Sequence, residues 1–497
     1  MPSPRILIVT PEITYLPEGM GNMAQRMTAK AGGLADVSAS LVAALFEKKA
    51  DVHVAMPNYR RMFSMDVFNL VSGELRKYHE KLPAERIHLA EDRIFYYRDQ
   101  VYSGYNENLR VSLVFQREVI NNIIPRVRPD LIHCNDWMTG LIPAMARRLN
   151  IKCLFTVHNI HTEKVTLEQI EETGIDAAEF WSELFFTRTP ANYEESRTTN
   201  TVDMLTSGIF GAHYINTVSP SFLDEIVEGR HGFIPPQVRA ELTNKKLAGC
   251  AEGILNAPDP SYDPATDPSL ARNFTADDLA AGKAANKRAF QEMTGLDVNA
   301  EAPVFFWPSR LDPVQKGPQL LTDILYRLVS DYWKQGLQVA VVANGAYQKH
   351  FRDVVAHHGI GNRVCVCDFS EPLSRLGYAA SDFMVMPSSF EPCGLPQMVS
   401  PLYGSLAIAH RTGGLKDTVE PLDAAAGTGN GFLFDYWDAA GLRWAVDQAM
   451  EFHALPRGQR DPQIARVMRE SAARFTHAET AQRYMDIYEA MLQRPLL

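Results

Sequence analysis

Short apolar segments alternate with segments of helical periodicity along the first half of the chain. Leu34, Val37, Leu41 and Leu45 recur at the spacing of one helix face. Apolar strands separated by such helices are typical of βαβ units, so we predict a parallel sheet with helices on both faces. The predicted strands of this half cover residues 6–9, 52–56, 131–134, 153–157 and 214–218.

A proline-rich segment separates this pattern from a second one like it. Residues 257–268 read A-P-D-P-S-Y-D-P-A-T-D-P, which excludes a regular helix or a central strand. We expect an α/β protein with two doubly wound domains, 1–256 and 257–477, and a C-terminal helical segment, 478–497, that braces the first. Their carboxyl-end loops are expected to face each other across a cleft. The predicted strands of the second domain cover residues 304–307, 339–342, 364–366, 383–386 and 406–409.

Composition narrows the class of partner. The 497 residues are 46% hydrophobic and 22% charged, as in ordinary globular proteins, and the formal net charge is −10. This charge argues against a nucleic acid as the main partner but leaves room for a local basic pocket. The apolar run at 6–9 is too short for a secretory core, and no run reaches the length of a membrane span, so we expect a cytoplasmic protein that does not bind membranes.

The six cysteines do not form the pattern of a disulfide framework or a zinc site. Cys365 and Cys367 lie in a strand-like run, and a zinc site would normally have wider spacing and a second pair. We interpret them as buried, reduced thiols.

Two glycine-containing turns follow neighbouring strands of the second domain. S-S-F-E-P-C-G-L at 388–395 follows one strand, and R-T-G-G-L at 411–415 follows the next. Ligands bind outside the carboxyl ends of the strands of an open parallel sheet, so we expect both turns to flank one pocket. Glycine lets the backbone approach a ligand, and amides at a helix start favour anions. Glu391 would repel an anion, so we predict that it has a task other than holding phosphate.

Two cations follow the first strand of the second domain. Arg310 and Lys316 suit a diphosphate, because arginine can engage two oxygens at once and lysine acts as a point charge. The alternative is a pair of ordinary surface cations. Their position at a strand end favours the functional interpretation.

The first domain also carries polar residues at its strand ends. Lys30, Gly32 and Gly33 open the first helix and predict either a phosphate cradle or a structural glycine turn. Asp136 and His158 follow adjacent strands. Singly, they could be a helix N-cap and a hydrogen-bonded structural histidine; together they suggest a polar, sugar-binding floor.

Taken together, these motifs resemble the bacterial glycogen synthase and starch synthase family of retaining glycosyltransferases. They occur in family order over nearly the whole chain, and the pair F-E-P-C-G-L and R-T-G-G-L is the most specific. The matching pieces are K-A-G-G-L-A-D-V at 30–37, H-C-N-D-W at 133–137, T-V-H-N at 156–159, T-V-S-P at 217–220, G-I-L-N at 253–256, S-R-L-D at 309–312, Q-K-G at 315–317, F-E-P-C-G-L at 390–395 and R-T-G-G-L at 411–415.

The resemblance implies the GT-B fold, two Rossmann-like domains with the nucleotide-sugar site in the second. It implies transfer of glucose from ADP-glucose, with UDP-glucose as the alternative donor, to the non-reducing end of an α-1,4-glucan with retention of configuration, as in glycogen biosynthesis. No cofactor is implied. We also expect no metal ion, because Arg310 and Lys316 can offset the charge of the departing diphosphate.

The resemblance also assigns roles. Glu391 would lie near the transferred glucose and its developing positive charge, His158 would hydrogen-bond that sugar, and Asp136 would orient donor or acceptor. Phe369 would lie against the nucleobase. The remaining donor-binding residues implied by family position are Lys30, Gly32, Gly33, Asn256, Cys393, Gly394, Leu395, Thr412 and Gly413.

Departures from the family pattern keep other functions open. Residues 14–28 look like an insertion beside the site, residues 191–201 look like an extra exposed loop, and Pro396 stands where the family commonly has threonine. One alternative is therefore a GT-B glycosyltransferase with another acceptor, such as a small sugar or a surface polysaccharide. A sugar-nucleotide epimerase and a non-enzymatic glucan-binding relative fit the charged residues less well.

Overall fold

The computed structural model describes residues 3–21, 24, 27–63 and 86–497. Parts of the predicted insertion at 14–28, namely 22–23 and 25–26, lie outside the described residues. The strands are β1 Arg5–Val9, β2 Asp51–Pro57, β3 Ile87–Ala90, β4 Leu131–Asn135, β5 Lys152–Val157, β6 Lys164–Val165, β7 Val202–Asp203, β8 Tyr214–Thr217, β9 Ala251–Gly253, β10 Val304–Trp307, β11 Gln338–Val342, β12 Val364–Cys367, β13 Phe383–Met386, β14 Leu406–His410 and β15 Gly431–Phe434.

Helices connect most of these strands. None of the helices in the described part of the chain combines the length and the apolar character needed to cross a membrane. The α-helices are α1 Gly33–Glu47, α2 Arg93–Tyr96, α3 Tyr105–Glu118, α4 Ile124–Val127, α5 Ile142–Arg148, α6 Leu167–Glu172, α7 Tyr193–Thr199, α8 Met204–Gly211, α9 Pro220–Glu228, α10 Pro236–Leu247, α11 Leu279–Thr294, α12 Pro318–Asp331, α13 Gln348–His358, α14 Glu371–Ala380, α15 Pro396–Val399, α16 Gly413–Thr418, α17 Ala439–His453, α18 Arg457–Arg474 and α19 His477–Leu492.

The first compact unit comprises residues 1–218, 223–254 and 477–497. Its parallel sheet has the strand order β3-β2-β1-β4-β5-β8-β9, so the chain reverses its direction of winding between β1 and β4. The C-terminal helix α19 belongs to this unit: the hydroxyl of its buried Tyr488 is 2.7 Å from Nδ1 of the buried His133 on β4. Because the winding reverses between β1 and β4, the carboxyl ends of these two strands flank the switch point, where ligands bind in open α/β sheets.

The second compact unit comprises residues 219–222 and 255–476. Its parallel sheet has the order β12-β11-β10-β13-β14-β15, and the switch point lies between β10 and β13. All four residues of β10 and of β13 are buried, as their continuous apolar sequences predict. The two segments that carry Lys316 and Glu391 leave the sheet at this switch point.

The ten predicted strands are confirmed, and no end shifts by more than one residue. The five strands β3, β6, β7, β9 and β15 were not predicted, and three of them (β6, β7 and β9) have only two or three residues, too few to show a period. The interpretation of residues 191–201 as an exposed loop was wrong. They contain α7, whose N-cap residue Asn192 accepts a hydrogen bond at 2.9 Å from the Glu195 amide through its side chain.

Candidate active site

A buried ion pair lies at the switch point of the second unit. The Nζ atom of Lys316 donates to Oε2 of Glu391 at 2.5 Å, and both side chains are almost fully buried. A buried pair of this kind is stable only when each charge keeps its partner, because either charge alone would carry a large desolvation penalty. The structure thus brings together the two charged residues that the sequence placed 75 positions apart.

The turn that carries Glu391 interlocks with the glycine turn after β14. The Gly414 amide donates to the Glu391 carbonyl oxygen at 2.9 Å. Gly413 has φ +44°, and a Cβ atom there would lie 2.0 Å from that same oxygen. A Cβ atom at Gly414 would lie 2.0 Å from the carbonyl oxygen of Cys393. The two glycines are therefore required so that the second turn can fit against the first.

The Glu391 carboxylate is held by a hydroxyl as well as by lysine. The Ser388 hydroxyl donates to Oε2 of Glu391 at 3.1 Å. The Nδ1 atom of His410 lies 2.8 Å from the Ser388 carbonyl oxygen, which can only accept, so Nδ1 carries the proton. Sequence reasoning missed both Ser388 and His410, although each lies within or beside a motif that it identified.

The Lys316 segment is fixed by a close backbone approach. Gly317 has φ +69°, and a Cβ atom there would lie 2.4 Å from the Pro387 carbonyl oxygen. The Trp437 indole N–H donates to that oxygen at 2.8 Å. Trp437 is a site neighbour that the sequence did not single out, because it follows β15, a strand that was not predicted.

Arg310 and Phe369 lie at the edge of the same sheet. Arg310 is exposed, and its side chain has no hydrogen-bond or ion-pair partner among the residues that the structure describes. Phe369 is half-exposed, and its amide donates to Oδ1 of Asn344 at 2.9 Å. Asn344 also accepts the Leu311 amide at 3.2 Å through its carbonyl oxygen, so it links the Arg310 and Phe369 segments.

The other predicted donor-binding residues of this unit follow β13 and β14, except Asn256, which follows β9. Burial raises the pKa of the Cys393 thiol to about 12, although the backbone and side chain of Asn256 hydrogen-bond to it. Thr412 is buried at the start of α16 and does not cap that helix with its side chain. Gly394 has φ +75°, and the half-buried Leu395 precedes α15. Cys393 is therefore an inert thiol rather than a nucleophile at ordinary pH.

Asp136 is the most perturbed acid of the first unit. It has φ +56° and ψ −179°, a region that is essentially restricted to glycine. Its carboxylate accepts the His158 amide at 2.7 Å and the Asn159 side-chain amide at 3.2 Å. Burial raises its pKa to about 7. Asp136 is the N-cap residue of the short helix Trp137–Thr139, as the alternative predicted, but its side chain makes no capping hydrogen bond to that helix.

His158 is neutral at ordinary pH. Burial lowers the pKa of its imidazole to about 3. Its Nε2 atom lies 2.9 Å from Oδ1 of Asn135, an acceptor, so Nε2 carries the proton. A neutral ring of this kind is compatible both with hydrogen bonding to a sugar and with a structural role.

The glycine turn before α1 is already occupied by a carboxylate. The Gly32 amide donates to Oε2 of Glu12 at 2.9 Å, and Gly33 is the first residue of α1. The Lys30 ammonium lies 2.9 Å from the Asp36 carboxylate. The predicted phosphate contact through the Gly32 amide would therefore require Glu12 to leave. Sequence reasoning missed Glu12, although a lone carboxylate just after an apolar strand was a visible signal.

Comparison with known proteins identifies the family to which this chain belongs. Residues 5–235 match the starch synthase catalytic domain model, and residues 302–451 match the model for group 1 glycosyl transferases. A glycogen synthase from Exiguobacterium sibiricum is 33% identical over 463 residues, covering 86% of this chain and 90% of that protein. The chain belongs to the glycogen synthase and starch synthase family. A glycogen synthase from Moorella thermoacetica is 32% identical, with 99% of this chain and 97% of that protein covered.

A solved structure extends this result to the fold. The catalytic domain of starch synthase IV from Arabidopsis thaliana, bound to ADP and acarbose, has a TM-score of 0.78 and 26% identity, and the match covers 99% of this chain and 100% of that one. The predicted family and GT-B fold are confirmed. This member of the family is accordingly a glycosyltransferase of the glucan synthase type.

The family member carries its predicted site residues in two separate sets. The second unit holds Glu391, Lys316, Arg310 and the surrounding donor-binding residues at one edge of its sheet. The first unit holds Asp136 and His158 at the carboxyl ends of β4 and β5 and the glycine turn after β1. The individual roles of these residues stay predictions.

Proposed function

We propose that this glucan synthase transfers glucose from ADP-glucose to the non-reducing end of an α-1,4-glucan with retention of configuration. The observation that carries the proposal is the buried Lys316–Glu391 pair at the switch point of the second unit. The starch synthase IV structure was solved with ADP and acarbose, a nucleotide and a sugar-like ligand of the corresponding classes. The cytoplasmic location expected from the sequence stays a prediction.

The chemistry of the second unit suits departure of a nucleoside diphosphate. Negative charge grows on the leaving diphosphate as the bond to glucose breaks, and Lys316 and the exposed guanidinium of Arg310 can offset it. Because Lys316 is already placed by Glu391 and the interlocked turns, little reorganisation is needed when the diphosphate binds.

The carboxylate of Glu391 is suited to stabilise the positive charge that develops on the transferred sugar. Glycosyl transfer passes through an oxocarbenium-like state, and a nearby carboxylate stabilises that positive charge. When the Lys316 ammonium also donates to a phosphate oxygen, it neutralises the Glu391 carboxylate less fully. The carboxylate can then stabilise the positive charge that develops on the sugar. The Ser388 hydroxyl keeps the carboxylate in place during this exchange.

In the first unit, the neutral His158 and the strained Asp136 offer hydrogen bonds for sugar hydroxyls. Among the described residues, no group of three or more histidine, cysteine, aspartate or glutamate side chains could hold a metal ion. That transfer proceeds without a metal stays a prediction, which assaying activity after treatment with a chelator would check.

The test is incorporation of labelled glucose from ADP-glucose and, separately, from UDP-glucose into glycogen. We expect incorporation with ADP-glucose and an α-anomeric product by NMR. Lys316→Ala and Glu391→Ala should each lower kcat/KM at least about a hundredfold, the loss typical when a charged group at the reacting centre is removed. Lys349→Ala is the matched control, because Lys349 is an exposed lysine of the same unit.

Specific outcomes would contradict the proposal. Absence of incorporation into glucan from either donor would refute it, and transfer to a small sugar alone would support the alternative acceptor class. Interconversion of sugar nucleotides without an acceptor would indicate an epimerase. Full activity of both Ala variants would show that the site is assigned to the wrong residues.

A further inference from the structure

Cys365 and Cys367 form a pair of thiols at the edge of the second sheet. They lie two residues apart on the edge strand β12, where Cys365 is level with Ala340 of β11 and Cys367 with Val342. Side chains two residues apart on a strand lie on the same face of the sheet, so the two thiols are neighbours. Both are free, and Cys365 is buried whereas Cys367 is half-buried. The interpretation of both as buried, reduced thiols therefore holds only for Cys365.

The two thiols differ in reactivity. The pKa of the Cys367 thiol is lowered to about 7, chiefly by a hydrogen bond from Cys365; burial and Asp368 oppose this effect, and Arg352 adds to it. The same hydrogen bond, together with burial, raises the pKa of Cys365 well above its usual value. Because the thiolate is the reactive form of cysteine, Cys367 is the nucleophile near neutral pH and Cys365 is its protonated neighbour.

The spacing of the pair permits a bond between the two sulfur atoms. A strand rises about 3.3 Å per residue, so Cα atoms two residues apart are separated by about 6.6 Å. Disulfides span Cα separations of about 4.4–6.8 Å, so closure requires only a local contraction of the strand. Among the described strands, β12 pairs only with β11, so no second neighbouring strand resists that contraction. A disulfide that distorts its backbone is easily reduced again.

Strand β12 leads directly into the segment that carries Phe369. The carbonyl oxygen of Cys367 accepts the Ala343 amide at 3.1 Å, which fixes the end of β12 against the end of β11. The Phe369 amide donates to Oδ1 of Asn344 at 2.9 Å, just beyond that point. A contraction at Cys367 would therefore displace Phe369 relative to Asn344.

We propose that Cys365 and Cys367 form a reversible disulfide when a peroxide reaches them, and that this disulfide weakens binding of the nucleotide-sugar donor by displacing Phe369. The effect on the donor rests on the proposed function, in which Phe369 lies against the nucleobase. Formation of the disulfide itself does not depend on that function.

The reaction has two steps. The Cys367 thiolate attacks one oxygen of hydrogen peroxide, the O–O bond breaks, and hydroxide leaves and is protonated to water, so Cys367 becomes a sulfenic acid. The Cys365 sulfur then attacks the Cys367 sulfur. The S–S bond forms, the S–O bond breaks, and the hydroxyl leaves as water with the Cys365 proton. Two thiols lose two electrons in total, and one peroxide is reduced to two waters.

The test treats the full-length protein with hydrogen peroxide and maps its peptides by mass spectrometry without reduction. The peptide that contains both cysteines should lose the mass of two hydrogen atoms and recover it with dithiothreitol. In the oxidised protein, the KM for ADP-glucose should rise about threefold to tenfold, as expected for loss of one aromatic contact. The kcat and the KM for glycogen should stay unchanged, because a binding contact far from the reacting bond is lost. Titration with ADP should show the same loss of affinity.

Variants separate this pair from the other oxidisable groups. Cys367→Ser and Cys365→Ala should keep the untreated activity and lose the response to peroxide. Cys250→Ser is the matched control, because Cys250 is a half-buried thiol of the first unit, and it should respond like the wild type. Phe369→Ala should have a raised donor KM that peroxide does not raise further.

Two results would overturn the inference. One is a treated wild type that gains oxygen atoms at Cys367 but forms no linkage to Cys365. The other is a protein with the disulfide whose donor KM and ADP affinity match those of the reduced form, because Phe369 would then not be displaced. A wild type that forms the disulfide but neither binds ADP nor transfers glucose would refute the proposed function and the effect on the donor, while supporting the disulfide site.

Discussion

Replacing Asp136 by asparagine should make the protein more stable at mildly alkaline pH while impairing its activity. Burial raises the pKa of the Asp136 carboxyl from 3.8 to about 7 in the folded chain. Folding thus favours the protonated form of the Asp136 carboxyl. The stabilisation that it contributes is fully present below 3.8 and is lost as the pH rises through about 7.

The magnitude follows from the pKa difference. A rise from 3.8 to about 7 corresponds to roughly 4 kcal/mol of penalty for holding the ionised carboxylate in the folded state. Asparagine cannot ionise, and its carbonyl oxygen can still accept the His158 amide. Its NH2 group would face the Asn159 side-chain amide, and losing that hydrogen bond costs about 1 kcal/mol. We therefore expect a net gain of about 3 kcal/mol near pH 8.

The assay is urea unfolding followed by tryptophan fluorescence at a series of pH values. The difference between Asp136→Asn and the wild type should shrink steadily as the pH falls from about 8 to about 4. Asp176→Asn is the matched control, because Asp176 is an exposed aspartate of the same unit, and it should show no such trend. If Asp136 orients donor or acceptor as predicted, glucosyl transfer by Asp136→Asn should fall, because the variant lacks the carboxyl group.

Two results would refute this reasoning. One is an Asp136→Asn variant that is less stable than the wild type near pH 8. The other is a stability difference that does not depend on pH, because the raised pKa of Asp136 would then not be its source.

Two further predictions concern the second unit. Lys316→Ala should lower the free energy of unfolding by about 3–5 kcal/mol, because Glu391 is left as a buried charge without its partner. The double variant Lys316→Met with Glu391→Leu should recover most of that loss in urea unfolding; no recovery would contradict the ion-pair argument. Gly413→Ala should cost more than about 3 kcal/mol by thermal unfolding, because its Cβ would lie 2.0 Å from a carbonyl oxygen. Gly427→Ala, which has φ +68° but open space around it, should cost only about 1 kcal/mol, and equal losses in the two variants would contradict the steric argument.

The local pattern of apolar and polar residues was sufficient to predict much of the fold. Apolar runs such as β10 and β13 are buried on both faces, so their continuous hydrophobicity identifies them without any tertiary information. Strands of two or three residues, such as β6 and β9, are too short to show a period, and α7 lies in a polar segment whose first turn is capped by the Asn192 side chain. These elements could not be found by periodicity alone.

The sequence by itself determined where ten of the strands lie along the chain, which polar residues follow them and which family the motifs resemble, because apolar runs and short motifs are local patterns. Only the tertiary structure decided which of these groups meet. It paired Lys316 with Glu391, seated Gly413 against the Glu391 carbonyl oxygen and placed Glu12 in the turn that was expected to hold phosphate. It also buried Asp136 and raised its pKa, since desolvation depends on what packs around a group and not on its neighbours in the chain.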